Sequence, residues 1–205
     1  MTLYKLTDGD GYTRRGLPGE TLWVPGEWHE APGGELGSAN VLYAYEDPRI
    51  AAVMNPIHAA ISDPQLWEAE GDVCVHEGQL KCGCTRLRVT RKIELPVLTT
   101  EQRVEIAIRC ALVVCTRRAW RAWANKWLSG EDRTGDAARL AEVGALGAPA
   151  VWAAAAAADA ADNDPACAAC AAWAVRSAVK VSPDLDVIAI IERAVGGGSR
   201  SASRS

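Results

Sequence analysis

Hydrophobic and polar positions follow two different patterns along the chain. Up to residue 98, apolar runs are short or alternate with polar residues, and Gly, Pro and Asp separate them, for example in DGDG at 8–11. Alternation with a period of two and frequent turn residues are typical of short strands. From residue 99 onward, the apolar residues follow helical patterns. We therefore expect an α+β protein, with a β-rich domain at 1–98 packed with a helical bundle at 99–195.

The β-rich domain also contains a helical segment. Residues 46–61 read EDPRIAAVMNPIHAAI, in which Asp47 is a suitable N-cap and Pro48 suits the first helical turn. Pro56 is expected to end or kink the helix, because proline lacks the backbone N–H that a helix needs. The segment therefore predicts one helix or two short ones.

The second half carries several helix signals. Thr99 and Gln102 have the spacing of a capping box, and the helix after them is apolar nearly all round, which predicts a buried central helix. An Ala-rich region follows, broken at 163–165, and alanine allows helices to approach closely. The Gly- and Ser-rich end of the chain, 196–205, predicts a disordered tail.

The clearest alternation lies between residues 66 and 90 and predicts a β-hairpin. We expect Asp72 to pair with Arg86 and Glu70 with Arg88, because opposite charges then face each other across the two strands. The apolar residues share the other face in this register. These apolar residues are Trp67, Ala69, Val73, Val75, Leu87 and Val89.

The same register gathers four metal-capable side chains at the hairpin tip, in the stretch CVHEGQLKCGC at 74–84. Cys74 would lie opposite Cys84, and His76 opposite Cys82. Such a set suits three structures: a zinc site, a redox-labile disulfide between Cys74 and Cys84, or free thiols on an ordinary hairpin. Structural zinc sites usually separate paired cysteines by two to four residues, whereas one residue separates each pair here.

A stripe of tryptophans predicts one face of a helix in the second half. Trp120, Trp123 and Trp127 are spaced by three and four residues, and Arg121 lies beside them. The stripe is either part of the core or an exposed recognition surface, since tryptophan often anchors protein interfaces.

Composition and motifs narrow the possible functions. The net charge is −4 and the pI is about 5.5, so we do not expect binding to duplex nucleic acid. Phosphate-binding loops of the Walker and GxGxxG types and the GxSxG nucleophile elbow do not occur in the sequence. The first residues lack the apolar core of a signal peptide, and no apolar run is long enough to span a bilayer, so we expect a cytoplasmic protein that does not bind membranes.

Several segments resemble a group of small, uncharacterised proteins from phages and prophages. The resemblance covers most of the chain and implies an architecture and a mobile-element origin, with no established activity. The segments are LYKLTDGDGYTRRG, ETLWVPGEWHEA, VLYAYEDPRIAAVMNPIHA, LWEAEGD, LPVLTTEQRVEIAIRCA, WANKWLSGEDR and DLDVIAIIERA.

The first half also resembles ADP-ribosyltransferase-like folds, which carry a His or Arg on the first strand, then a Tyr or Ser, and later a Glu. This resemblance implies NAD as a substrate, with an aromatic platform for nicotinamide and a carboxylate that steadies the ribose cation. A lysine stands here where one such pattern has histidine. The matching positions are Lys5 or Arg14, Tyr43 or Tyr45, and Glu68 or Glu70.

The function that the sequence favours is binding. The sequence contains no complete catalytic arrangement, and its net charge is negative. It also contains several tryptophans that could contact a partner. We expect a non-enzymatic phage or prophage accessory protein that needs no cofactor and binds a macromolecule, most simply a protein, of the host or the phage, for example to counter a defence system. The alternatives are an NAD-using enzyme of ADP-ribosyltransferase-like type and a zinc-stabilised structural module.

Overall fold

The structure is a computed structural model that describes residues 2–145, 151–161 and 167–197. The predicted break at 163–165 lies outside the described residues, as does the predicted tail beyond residue 197.

The chain divides into two compact units, Met1–Val97 and Leu98–Ser205. The division falls one residue before the predicted boundary between residues 98 and 99. Strands dominate the first unit and helices dominate the second, so the predicted α+β class is confirmed.

The first unit is built around one long hairpin, to which short strands and one helix are added. The predicted turn at 8–11 forms, because the Asp8 carboxylate accepts hydrogen bonds from the N–H groups of Asp10 and Tyr12, at 3.0 and 2.8 Å. The elements are β1 (Leu3–Thr7), β2 (Tyr12–Thr13), β3 (Thr21–Leu22), β4 (His29–Glu30), β5 (Leu42–Ala44), α1 (Pro48–His58), β6 (Gln65–Glu77) and β7 (Lys81–Ile93).

The segment predicted as one helix or two forms the single helix α1. The Asp47 carboxylate caps it by accepting a hydrogen bond from the Arg49 N–H at 2.8 Å. Pro56 lies inside the helix, which ends two residues later at His58. Proline therefore limits the length of α1 without dividing it.

The strands β1, β6, β7 and β5 close into a ring, whereas β2 and β3 pair in a separate two-stranded sheet. Antiparallel pairing joins β1 to β6, β6 to β7, and β7 to both β4 and β5. Tyr45 follows β5 and exchanges two backbone hydrogen bonds of 2.8 Å with Tyr4 of β1, so β5 and β1 also adjoin. The ring encloses a core of buried side chains, which are Leu3, Trp23, Ala44, Ala69, Cys82, Cys84, Leu87 and Val89.

The hairpin register differs from the predicted one at its tip. Arg86 pairs with Asp72, and His76 with Cys82, as predicted, but Cys84 lies opposite Val73 and not Cys74. The reason is a pair of irregularities: β7 contains an extra residue after Cys84, and β6 contains an extra residue, Cys74, after Val73. An extra residue exchanges the two faces of a strand.

This change of face places the thiols of the hairpin in the core and leaves its charged side chains on the outer surface. Cys82 and Cys84 are fully buried on the same side as Leu87, whereas Arg86 lies on the outer side. A thiol behaves as a small apolar group, while burying an unpaired guanidinium is costly, so this arrangement is favourable.

The second unit is helical. Thr99 and Gln102 form the predicted capping box, and Gly130 ends a helix in the left-handed conformation with φ of 78°. The helices are α2 (Thr100–Val114), α3 (Arg118–Ser129), α4 (Gly135–Ala145), α5 (Val151–Ala161), α6 (Cys167–Val181) and α7 (Val187–Gly197).

The last helix reaches two residues into the segment predicted as a disordered tail, 196–205. Gly196 and Gly197 belong to α7, because backbone hydrogen bonds to earlier carbonyls need no side chain.

The helix α2 is the centre of the second unit, as its all-round apolar pattern predicts. It packs against α3, α5, α6 and α7, and Ile106 and Ile108 are fully buried. The helices α5 and α6 pack closely through buried alanines such as Ala154 and Ala172. Within the described ranges, no helix combines the length and the apolar character that crossing a bilayer requires.

Candidate functional site

A buried lysine lies inside the strand ring. Only 7% of Lys5 is exposed, and its Nζ atom donates a hydrogen bond to the Tyr43 carbonyl oxygen at 2.6 Å. The same Nζ lies 4.5 Å from the ring centroid of Trp23. Because burial disfavours the charged form, it lowers the pKa of Lys5 to about 8.

Two buried thiols share this interior. The hydrogen bond between them raises the pKa of Cys82 and lowers that of Cys84. The cationic amine of Lys5 is near enough to lower the pKa of Cys84 further. Both thiols are free and fully buried, so they lie away from solvent and reagents.

The short strand β4 links this interior to the outer surface. His29 points inward, where its ring lies 4.5 Å from that of Trp23, and burial lowers the pKa of His29. Among the described residues, the buried His29 Nε2 atom has no hydrogen-bond partner. Because side chains alternate along a strand, the neighbours Trp28 and Glu30 lie on the outer surface.

The outer surface of the hairpin carries what we call the Trp–Arg platform, made of Trp28, Glu30, Glu70, Arg86 and Arg88. The Trp28 ring contacts two guanidinium groups at once: its centroid lies 3.9 Å from the Cζ atom of Arg86 and 4.6 Å from the Cζ atom of Arg88. Arg88 binds Glu70 at 2.7 Å, and Arg86 lies 3.8 Å from Glu30. Trp28 is nevertheless 37% exposed, so the platform presents an ordered aromatic ring to solvent.

The residues matched to ADP-ribosyltransferase-like folds lie apart. Glu70 and Glu68 are held on the outer face in ion pairs with Arg88 and Arg91, at 2.7 and 2.6 Å. The hydroxyl of Tyr43 instead donates to the Ser38 carbonyl oxygen at 2.9 Å. Tyr43 is next to Gly83 in the sheet and Glu70 is next to Arg88, which places them about 17 Å apart along β7 at roughly 3.4 Å per residue.

The other matched positions do not join them. Lys5 is inside the ring, and Tyr45 is buried, which raises the pKa of its hydroxyl well above the usual range. Arg14 lies in the turn before β3 with φ of 55°. The structure therefore does not assemble these residues into one site.

The four predicted metal ligands are separated by the register change. Cys82 and Cys84 are buried, whereas Cys74 is exposed and its Sγ lies 3.4 Å from the Gly83 carbonyl oxygen. His76 contacts the Glu46 carboxylate at 3.1 Å. Across the described part of the chain, no group of three or more His, Cys, Asp or Glu side chains is placed to hold a metal ion.

A disulfide between Cys74 and Cys84, one of the three alternatives for the hairpin tip, does not form, since both cysteines are free. The reason is the register change at the hairpin tip, where Cys84 lies opposite Val73.

At the tip of the hairpin, histidine and lysine side chains instead contact carboxylates of neighbouring residues. His76 contacts Glu46 beyond β5, and His58 at the end of α1 lies 3.9 Å from the Glu77 carboxylate. Lys81 reaches the same Glu77 carboxylate at 3.4 Å. These contacts join three elements and account for the polar residues of the tip as structural contacts.

The tryptophan stripe of α3 is buried, so of the two alternatives the core interpretation is correct and the recognition surface is not. Trp120, Trp123 and Trp127 are between 0 and 7% exposed, and the Trp120 Nε1–H donates to the Ala154 carbonyl oxygen at 3.1 Å. Burying three large apolar side chains on one helix face stabilises the fold, because their apolar area is removed from water. Of the four predicted binding residues, Arg121 alone is exposed.

Sequence reasoning missed Trp28 as a site residue. Trp28 and Arg86 are 58 positions apart, and only the pairing of β4 with β7 brings them together. The one available signal was the alternation of Arg86 and Arg88 with buried residues, which places both arginines on one face of the strand.

Comparison of the chain with protein-family models, with curated proteins and with solved structures finds no match.

Proposed function

We propose that the chain is a non-enzymatic protein-binding module, an accessory protein of a phage or prophage, and that the Trp–Arg platform is its contact surface. One observation carries the proposal: Trp28 is 37% exposed although its ring is fixed over Arg86 and Arg88. Tryptophan and arginine are the residue types most enriched among the energetic hot spots of protein interfaces.

The platform is ordered before any partner arrives. Both guanidinium groups lie against the Trp28 ring, and Arg88 is also held by Glu70 at 2.7 Å. Ordering a side chain on binding costs about 0.5–1.5 kcal/mol, and a preformed contact surface avoids much of this cost. The arrangement therefore favours tight binding through a small number of residues.

The charges around Trp28 favour a protein over a nucleic acid. Glu30, Glu70 and Asp72 accompany the two arginines on this face, and the first unit has 14 carboxylates against 9 lysines and arginines. Phosphate backbones are repelled by such carboxylates. Alternating charges around an aromatic group instead suit a protein surface with the complementary pattern.

A tryptophan substitution with a matched control tests the proposal. Trp173 in the second unit is 47% exposed and also lies against an arginine, Arg176, at 5.4 Å. We expect the unmodified protein to retain a partner from host lysate. The Trp173→Ala variant should retain the same partner, whereas the Trp28→Ala variant should lose it. Hot-spot tryptophans cost about 2 kcal/mol or more when truncated, which is a loss of affinity of roughly 30-fold.

Equal binding by both variants would contradict the proposal, as would a partner lost only by Trp173→Ala. Circular dichroism spectra of the two variants show whether a loss comes from the surface and not from unfolding.

A further inference from the structure

We infer that the corner between α2 and α3, residues 113–122, is a second interaction surface, which binds an acidic peptide segment of a partner protein. This surface lies in the second unit and does not depend on the Trp–Arg platform.

The sequence concentrates positive charge in this region. Residues 106–130 contain five lysines and arginines and not one Asp or Glu, although the whole chain has 26 acidic residues and a net charge of −4. A stretch of 25 residues without a carboxylate therefore interrupts an acidic chain. Arg109 and Lys126 pair with Glu105 and Glu131 at the two ends of this stretch, so its local positive field comes from the three arginines between them, at 117, 118 and 121.

The structure places the central cations on the surface. Thr116, Arg117, Arg118 and Ala119 are four consecutive exposed residues, and no ion pair joins either arginine to a carboxylate within the described part of the chain. Val113, which lies near the end of α2 four residues before Arg117, is 56% exposed. The corner thus offers two exposed guanidinium groups and, a few residues earlier in the chain, an exposed apolar side chain.

Fold stability does not explain these arginines. Arg117 is the N-cap of α3 and makes no side-chain capping hydrogen bond, and the first turn of α3 contains no acidic residue. The N-terminal end of a helix carries partial positive charge, so cations there are unfavourable. Asp, Asn, Ser or Thr would stabilise this position better than arginine does.

Arg121 fixes the shape of the corner. Its Nη1 atom donates hydrogen bonds to the carbonyl oxygens of Leu112 at 2.5 Å and Cys115 at 3.0 Å, at the end of α2. The side chain remains exposed. The two arginines at the start of α3 are therefore presented from an ordered turn.

An acidic peptide that contains an apolar residue fits this surface best. Carboxylates pair with guanidinium groups in two parallel hydrogen bonds, and Val113 is available to contact an aliphatic side chain. A nucleic acid would have to approach a chain with a net charge of −4, which the acidic residues elsewhere oppose.

The test uses the full chain and a fluorescent peptide of glutamates with leucines at its centre. We expect the unmodified protein to bind this peptide, and Arg117→Asp with Arg118→Glu to weaken binding by at least about tenfold. The control, Lys180→Glu with Arg193→Glu, makes the same change in net charge at two exposed positions of the same unit and should bind like the unmodified protein. The Trp28→Ala variant should also bind normally, which separates this inference from the proposed function.

A stability measurement separates loss of the surface from loss of the fold. Because the Arg117→Asp, Arg118→Glu variant gains a capping carboxylate and a favourable charge, its melting temperature should rise by roughly 2–4 °C. The inference is overturned if the unmodified protein does not bind the peptide, if both double variants lose binding equally, or if a single-stranded RNA of the same length binds more tightly.

Discussion

Lys5 carries a charge that the interior of the strand ring stabilises poorly. Its Nζ atom has the Tyr43 carbonyl oxygen and the Trp23 ring as partners, and its pKa falls from 10.5 to about 8. Below pH 8 the amine is protonated in both the folded and the unfolded chain, so the full cost of burying the charge is present. The difference between the two pKa values corresponds to about 3 kcal/mol.

This burial predicts a pH dependence of stability. Between pH 8 and 10.5 the unfolded chain holds a proton that the folded chain has released, so the free energy of unfolding should rise with pH in this window. Urea unfolding at pH 7, 8.5 and 9.5 measures the rise. The Lys5→Met variant has no amine to titrate and should lack this component, so parallel curves for the two proteins would contradict the assignment.

Local residue features could be predicted from the sequence, whereas long-range contacts could not. The Asp47 cap, the Thr99–Gln102 capping box and the left-handed Gly130 depend on neighbours within three positions. By contrast, the contact between Lys5 and the Tyr43 carbonyl depends on the closure of the strand ring. No local pattern encodes that closure.

At the scale of elements, the hairpin shows where alternation misleads. The pairs of Asp72 with Arg86 and of Glu70 with Arg88 follow from opposite charges, and they are present. Strict alternation would also place Cys84 on the same face as the arginines, but an extra residue in β7 moves the thiol to the core side. The alternation of apolar and polar residues does not show where a strand changes its phase, so the expected gathering of the four side chains on one face was wrong.

One glycine of the hairpin, Gly71, should not tolerate substitution by a residue with a side chain. A Cβ atom at Gly71 would overlap the Arg86 carbonyl oxygen and lie 2.8 Å from Leu87 Cδ1, so the strand that carries the platform would have to shift. We expect Gly71→Ala to lower the free energy of unfolding by about 1–3 kcal/mol. Chemical denaturation measures the change.

Gly196 offers the control for this substitution, because a Cβ atom there meets no heavy atom within 4 Å. The Gly196→Ala variant should be at least as stable as the unmodified protein, because alanine favours a helix more than glycine does. Equal tolerance at both positions would show that β6 and β7 do not approach as closely as the structure has them.

At the scale of the whole molecule, the two units differ in charge as well as in fold. The first unit, with 14 acidic and 9 basic residues, is acidic, whereas the second has 12 acidic and 13 basic residues. The two proposed surfaces follow this division: one is an aromatic group among mixed charges, and the other is a basic corner. An acidic unit and a nearly neutral unit with a basic corner suit contact with two different parts of a partner.

Each unit has a buried core of its own, so each should fold alone. Residues 1–97 enclose Leu3, Trp23 and Leu87 within the strand ring. We expect the fragment 1–97 to unfold cooperatively and to give dispersed amide resonances. A fragment that shows no unfolding transition, while the full chain shows one, would contradict this expectation.

The most direct test of the proposed function is photo-crosslinking from the platform in the full chain. A benzophenone amino acid at position 30 replaces Glu30, whose side chain is 78% exposed beside Arg86, and the same group at position 131 replaces Glu131, which is 63% exposed in the second unit. We predict a crosslinked protein partner from position 30 that the additional substitution Trp28→Ala removes. Crosslinking from position 131 with none from position 30, or a product at position 30 that persists without Trp28, would contradict the account.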